Sequence, residues 1–227
     1  MMPMIEHPSP NFGHRAPGTV IDMLVIHYTG MQSTEISLAN MCDPDVEVSA
    51  HYLIDEGGAV HRLVAEENRA WHAGVSSWHG ETDTNSRSIG VELQNPGHDW
   101  GYVPFQKAQM DVLEELAAGI LSRHAISPRM VLAHSDVAPG RKQDPGHLFD
   151  WRGLAQAGIG YWPEACPSAP PDDKAAIRDT LNRIGYDPTA SLKDVIEAIQ
   201  RHYRPARVDG VLDAECWGII EALAQDG

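Results

Sequence analysis

The stretch His134–Gly146, HSDVAPGRKQDPG, places an imidazole, an ammonium group and a carboxylate in one short loop. Imidazole and carboxylate are the ligand types of a catalytic zinc site, and Lys142 in the same loop could meet a developing negative charge. The loop follows an apolar run, Met130-Val131-Leu132-Ala133, that reads as a short buried strand. That strand delivers His134 to its carboxyl end. The Pro/Gly-punctuated turn then brings Lys142 and Asp144 back towards it.

Two further strands complete the pattern. Asp22–His27 is an apolar run ending in histidine and followed by the polar turn Tyr28-Thr29-Gly30. In Ser88–Gln94 a period of two puts Ile89, Val91 and Leu93 on one face and Gly90, Glu92 and Gln94 on the other. Ligands of open α/β sheets bind beyond the carboxyl ends of the strands, so two strands ending in His and a third carrying Glu92 fit one cleft. Singly, each residue has a plainer reading. A strand-end histidine more often packs, Asp144 before proline forms a turn, Lys142 beside Arg141 is a solvated cation, and Glu92 pairs with an arginine.

The surrounding elements read as α/β. Leu53-Ile54 and Val60–Leu63 flank Glu56-Gly57-Gly58, which predicts a hairpin. From Phe105 to His124, the residues Leu113, Leu116, Ala117, Ile120 and Leu121 form the stripe of an amphipathic helix that packs on the sheet. A helix starting near Phe149–Arg152 closes this first domain, 1–162. Residues 163–172, rich in Pro, Ala and Ser, read as a linker. Residues 173–227 read as a small three-helix domain: Gly185 ends the first helix, Ser191 caps the second and Asp213 the third. Its core is small enough to need support from the first domain.

A net charge of -15 disfavours nucleic acid and anionic membrane surfaces as partners. No apolar run approaches bilayer-spanning length. Cys42, Cys166 and Cys216 are far apart and show no CxxC spacing, which points to ordinary thiols. The N-terminal stretch Met1–Pro8 has neither a basic patch nor a continuous apolar segment, so the expected compartment is the cytoplasm, or the periplasm or envelope if a signal was removed. No protein partner is indicated.

VIHYTG around His27, AWHAGVSSW around His72, SIGVELQN around Glu92 and HSDVAPGRKQDPG around His134 together resemble the zinc-dependent N-acetylmuramoyl-L-alanine amidases. That family is related to phage lysozyme-amidases and peptidoglycan recognition proteins. The resemblance covers roughly residues 15–160, and the tail, with LNRIGYD, IQRHYRP and VDGVLDAECW, looks like a peptidoglycan-binding module. It implies a mixed central sheet with helices on both sides and a zinc ion held by His27, His134 and Asp144. It also implies Glu92 and Lys142 as catalytic side chains; of the pair, Glu92 is the candidate general base, its pKa expected to be raised by a partly desolvated strand position, and Lys142 the candidate for stabilising the oxyanion.

The bond implied is the amide between N-acetylmuramic acid, or its anhydro form, and L-alanine of the stem peptide. Muropeptides or peptidoglycan are then the partners, in cell-wall recycling or turnover. His51, Trp71 and His72 are expected to line the groove and bind substrate, His51 and His72 alternatively orienting a ligand from behind. Trp78 is a further candidate for stacking on sugar. One departure from the family pattern is His147, where relatives often have proline. The competing class is a binding-only recognition protein on the same fold, which often lacks one of the five ligand or catalytic residues kept here.

Overall fold

The computed structural model describes residues 4–225. Met1–Pro3, part of the N-terminal stretch Met1–Pro8, and Asp226-Gly227, the end of the predicted domain 173–227, lie outside the described residues. The elements run β1 (Met4–Glu6), β2 (Phe12–His14), β3 (Met23–Tyr28), α1 (Thr34–Cys42), β4 (Tyr52–Ile54), β5 (Val60–Arg62), β6 (Asn68–Ala70), α2 (Thr84–Arg87) and β7 (Ser88–Leu93). They continue with α3 (Gly97–Trp100), α4 (Lys107–His124), β8 (Val131–Ala133), α5 (His134–Val137), α6 (Trp151–Gln156), α7 (Lys174–Ile184), α8 (Leu192–Tyr203) and α9 (Ala214–Gln225).

The central sheet has the order β1-β5-β4-β7-β3-β8. Strand β3 is parallel to β7 and β8, and β7 is parallel to β4. The hairpin partner β5 is antiparallel to β4, which makes the sheet mixed. A separate antiparallel ladder joins β2 to β6. The four neighbouring parallel strands β4, β7, β3 and β8 read as near-continuous apolar runs because both of their faces are covered.

Alternation along these strands sorts their side chains. Leu24 and Ile26 of β3, Ile89, Val91 and Leu93 of β7, and Val131 and Ala133 of β8 pack with Leu113, Leu116, Ala117 and Ile120 of α4. The opposite set, Met23, Val25 and Leu132, packs with Trp78 and with the apolar residues of α7, α8 and α9. His27 continues the second set two residues beyond Val25, and His134 continues it two residues beyond Leu132. One face is therefore apolar under the C-terminal helices and polar at its carboxyl end. The site and the tail share that face.

The caps foreseen for the C-terminal helices are in place. Gly185 ends α7 at φ 127°, the Ser191 side chain accepts from the Asp194 N–H, and the Asp213 carboxylate accepts from the Cys216 N–H. Asp136 on α5 ties this layer to the site strand: it accepts from His202 Nδ1 on α8 at 2.7 Å and from the Tyr186 hydroxyl at 2.9 Å. All three side chains are buried.

Residues 163–172 run along the surface of α9, where the Ser168 N–H donates to the Ala214 carbonyl. Gly218 lies so close to the Cys166 carbonyl that an added Cβ would overlap it. Gly218→Ala is expected to destabilise the protein by about 1–3 kcal/mol through forced displacement of this strap, read as a lower urea midpoint.

Among the described residues, no helix is long and apolar enough to cross a membrane.

Candidate metal centre and catalytic cleft

The pairing register sets His27 of β3 directly beside Glu92 of β7. One strand further, β8 ends at Ala133 and hands His134 to the same edge. The loop after α5 folds back so that the Ser135 N–H donates to the Asp144 carbonyl. This brings three donor atoms together: His27 Nδ1 and His134 Nδ1 lie 2.9 Å apart, and Asp144 Oδ2 lies 3.2 Å from the first and 2.9 Å from the second.

All three side chains are buried. Tetrahedral zinc with bonds of roughly 2.0–2.1 Å separates its donors by about 3.3 Å, so the triangle is close to the required size. Two imidazole nitrogens facing one carboxylate oxygen at such separations leave lone pairs crowded together, which a cation relieves. The residues present therefore fit a zinc ion.

The charges are arranged accordingly. Burial, aided by His134, lowers the His27 pKa to about 4, so its ring is neutral near pH 7. Burial by itself would raise the Asp144 carboxyl. His134 and His27 outweigh it and hold Asp144 well below the usual carboxylate range.

Glu92 lies beside the triangle with only 8% of its surface exposed, and its Oε2 has no hydrogen-bond partner. Burial pushes its pKa up to about 8; Asp144 adds to the rise and Lys142 opposes it. Glu92, Lys142, Asp144, His134 and His72 all line one cleft of about 410 Å³. Among the described residues the Lys142 ammonium makes no side-chain hydrogen bond or ion pair, so it is available to an incoming anion.

The three residues expected to bind substrate are placed differently. His51 is fully buried: its Nδ1 accepts from the Gly90 N–H, which leaves Nε2 to donate to the Asn68 carbonyl. Such a ring does not reach the cleft, and its contribution is to hold β7 from behind. Trp71 is half-buried, with its indole nitrogen towards Gly13 of β2, and it does not line the cleft. Trp78 is buried against Tyr186 and Gly185. His72 does line the cleft, but both of its ring nitrogens are engaged, Nδ1 with His27 at 3.0 Å and Nε2 with the Ser88 hydroxyl at 3.1 Å.

The rim that the sequence reading missed is aromatic. The Tyr28 hydroxyl and His98 Nδ1 share a hydrogen bond of 2.8 Å, and His98 stacks on Tyr102. The Tyr102 hydroxyl donates to the Pro145 carbonyl and accepts from the Leu148 N–H, which fixes the turn after Asp144. Gly146, at φ 83°, lies against that hydroxyl, where a Cβ would leave no room. His147 lies at the same rim, 5.5 Å from Tyr102 between ring centroids. Tyr28 was the accessible signal, because it directly follows the candidate ligand His27.

A family model described as N-acetylmuramoyl-L-alanine amidase matches residues 17–147. The N-acetylmuramoyl-L-alanine amidase AmiD of Escherichia coli (strain K12) is 41% identical over 231 residues, covering 90% of this chain and 83% of its own length. The chain belongs to the N-acetylmuramoyl-L-alanine amidase family.

Among solved structures, the E. coli AmiD complex with anhydro-N-acetylmuramic acid-L-Ala-D-gamma-Glu-L-Lys superposes with a TM-score of 0.83 at 40% identity, covering 94% of this chain and 93% of that one. AmpDh3 from Pseudomonas aeruginosa, in complex with anhydromuramic pentapeptide, gives a TM-score of 0.82 at 31% identity, with 96% of both chains covered. These shares are too large to omit the C-terminal helices. By contrast, the 1,6-anhydro-N-acetylmuramyl-L-alanine amidase AmpD of Haemophilus influenzae is 34% identical over 161 residues, 63% of this chain and 85% of its own. This amidase thus shares its full layout with the first two proteins and only part of it with the third.

Proposed function

We propose that the cleft hydrolyses the amide between N-acetylmuramic acid, in its anhydro form above all, and the L-alanine of the stem peptide, with zinc held by His27, His134 and Asp144. The observation that carries this reading is the buried, unpartnered Glu92 carboxyl beside three convergent donor atoms. Zinc, when bound, supplies Lewis acidity towards a carbonyl and lowers the pKa of water.

Glu92 supplies the proton transfers. In its ionised form the Glu92 carboxylate accepts a proton from the attacking water, and its burial-raised pKa favours holding that proton until it passes to the departing nitrogen, which an amide needs because its amine leaves poorly unprotonated. Lys142 faces the charge that develops on the carbonyl oxygen, a role in which losing one donor typically costs roughly 2.7–4 kcal/mol. A binding-only recognition protein has no use for a desolvated carboxyl, whose burial is costly.

The substrate bound to AmiD and the anhydromuramic pentapeptide bound to AmpDh3 support an anhydro-muropeptide as the ligand class. We assign the tail, residues 173–227 after the 163–172 strap, a peptidoglycan-binding-like role on the strength of its sequence pattern, together with support of the sheet beneath the site.

The test is release of free peptide from an anhydro-muropeptide, followed by chromatography and mass spectrometry. Release is expected to stop with a chelator and to return on adding zinc. Chelator-insensitive release would remove the metal from the reading, and no release at any zinc level would remove the activity.

A further inference from the structure

We propose that the His72-Ala73 dipeptide, held by Asn85 and Ser88, is a tautomer clamp that takes the Nε2 protons of both candidate ligand imidazoles and leaves both Nδ1 lone pairs facing the metal position. The inference rests on the metal reading above.

An imidazole that binds a cation through Nδ1 must carry its proton on Nε2, and the partner of Nε2 decides whether it does. For His27 that partner is reached through a relay. The Ser88 hydroxyl donates to the Thr84 carbonyl at 2.7 Å, and a carbonyl only accepts. The serine proton is thereby committed, so Ser88 Oγ accepts from His72 Nε2–H at 3.1 Å. A neutral His72 then has a bare Nδ1, which accepts from His27 Nε2–H at 3.0 Å. His27 Nδ1 is left with its lone pair in the triangle. The reverse assignment would require Ser88 to abandon the Thr84 carbonyl.

His134 is set by the next residue of the same loop. Its Nε2 lies 3.0 Å from the Ala73 carbonyl, nearer than the 3.3 Å to the Arg141 guanidinium, which itself donates to that carbonyl; an oxygen with two lone pairs accepts from both, takes the Nε2 proton and again frees Nδ1. One side-chain oxygen fixes the dipeptide that serves both rings: Asn85 Oδ1 accepts from the N–H groups of His72 at 3.1 Å and Ala73 at 2.8 Å. Asn85 and Ser88 are buried, so water does not compete for these bonds. Gly90 makes room for the clamp, because a Cβ on that residue would overlap the His72 ring. His72, Ser88 and Asn85 are positioning residues; they act on the metal site through His27 and His134.

The test uses the full-length protein with two readouts: zinc affinity by competition against a chromogenic chelator, and the histidine tautomers of the metal-free protein by long-range ¹⁵N–¹H correlation. His72→Ala is expected to weaken zinc binding about 10–100-fold and to turn the His27 Nε2–H tautomer into a mixture. His72→Asn, whose Oδ1 takes the place of Nδ1, is expected to restore most of both. Wild-type zinc affinity in His72→Ala, or an unchanged His27 tautomer there, would overturn the clamp. Should His72→Ala fail to fold, Ser88→Ala keeps the ring but removes its acceptor. It is expected to weaken zinc binding and to mix the His72 tautomers, and no change in either would again overturn the proposal. A wild-type protein that binds no zinc would instead defeat the metal reading.

Discussion

Glu92→Gln is expected to reduce turnover by about 10²–10⁴-fold while zinc remains bound, because the carboxyl moves protons and is not among the three donors. The same substitution is expected to change how the metal-free protein responds to pH. The folded-state pKa of Glu92 is about 8, far above that of an exposed glutamate. As pH rises past the ordinary glutamate range, the unfolded chain loses this proton and the folded protein keeps it.

Stability therefore falls between those two pKa values and levels off above about 8. The loss is on the order of a few kcal/mol. Glu92→Gln lacks this slope and should be the more stable protein at alkaline pH. Urea unfolding of both proteins in chelator at pH 5 and pH 9 checks the sign. Parallel behaviour would mean that the carboxyl is better solvated than its burial indicates.

Asp144→Asn is expected to abolish tight zinc binding and, with it, hydrolysis. Two neutral imidazoles and a carboxylate give a dication one compensating charge at short range, whereas an amide gives none. Zinc at a thousandfold excess over its dissociation constant stabilises a folded protein by about 4 kcal/mol, which for a chain of this size is about 10 °C in Tm. Wild type should show that rise on adding zinc and lose it in chelator; Asp144→Asn should show almost none. A variant that keeps the full rise would mean the cation binds elsewhere.

Much of this site could be read from the order of residues because parallel strands deliver their ends to one edge. The apolar runs before His27 and His134, and the period of two around Glu92, specify strands, and a buried parallel sheet aligns their carboxyl termini. The helix caps at Gly185, Ser191 and Asp213 were legible because their chemistry is local.

What escaped was set by distant contacts. His51 looks like a groove residue until the Arg15 guanidinium and the Asn68 carbonyl are found packed around it. The rim of Tyr28, His98 and Tyr102 depends on loops that meet only in three dimensions. Strands β1, β2 and β6 are three residues each, and β1 and β2 are largely exposed, too short to show a period.

The face shared by Met23, Val25 and Leu132 has a practical corollary. Severing the chain near Pro163 would strip the cover from the underside of the very strands that present His27 and His134. Such a fragment is expected to be sticky and poorly soluble, and its histidines would rest on a floor free to warp. The tail is better regarded as a keel than as detachable cargo, and transplanting it onto another enzyme would carry away only part of what it does here.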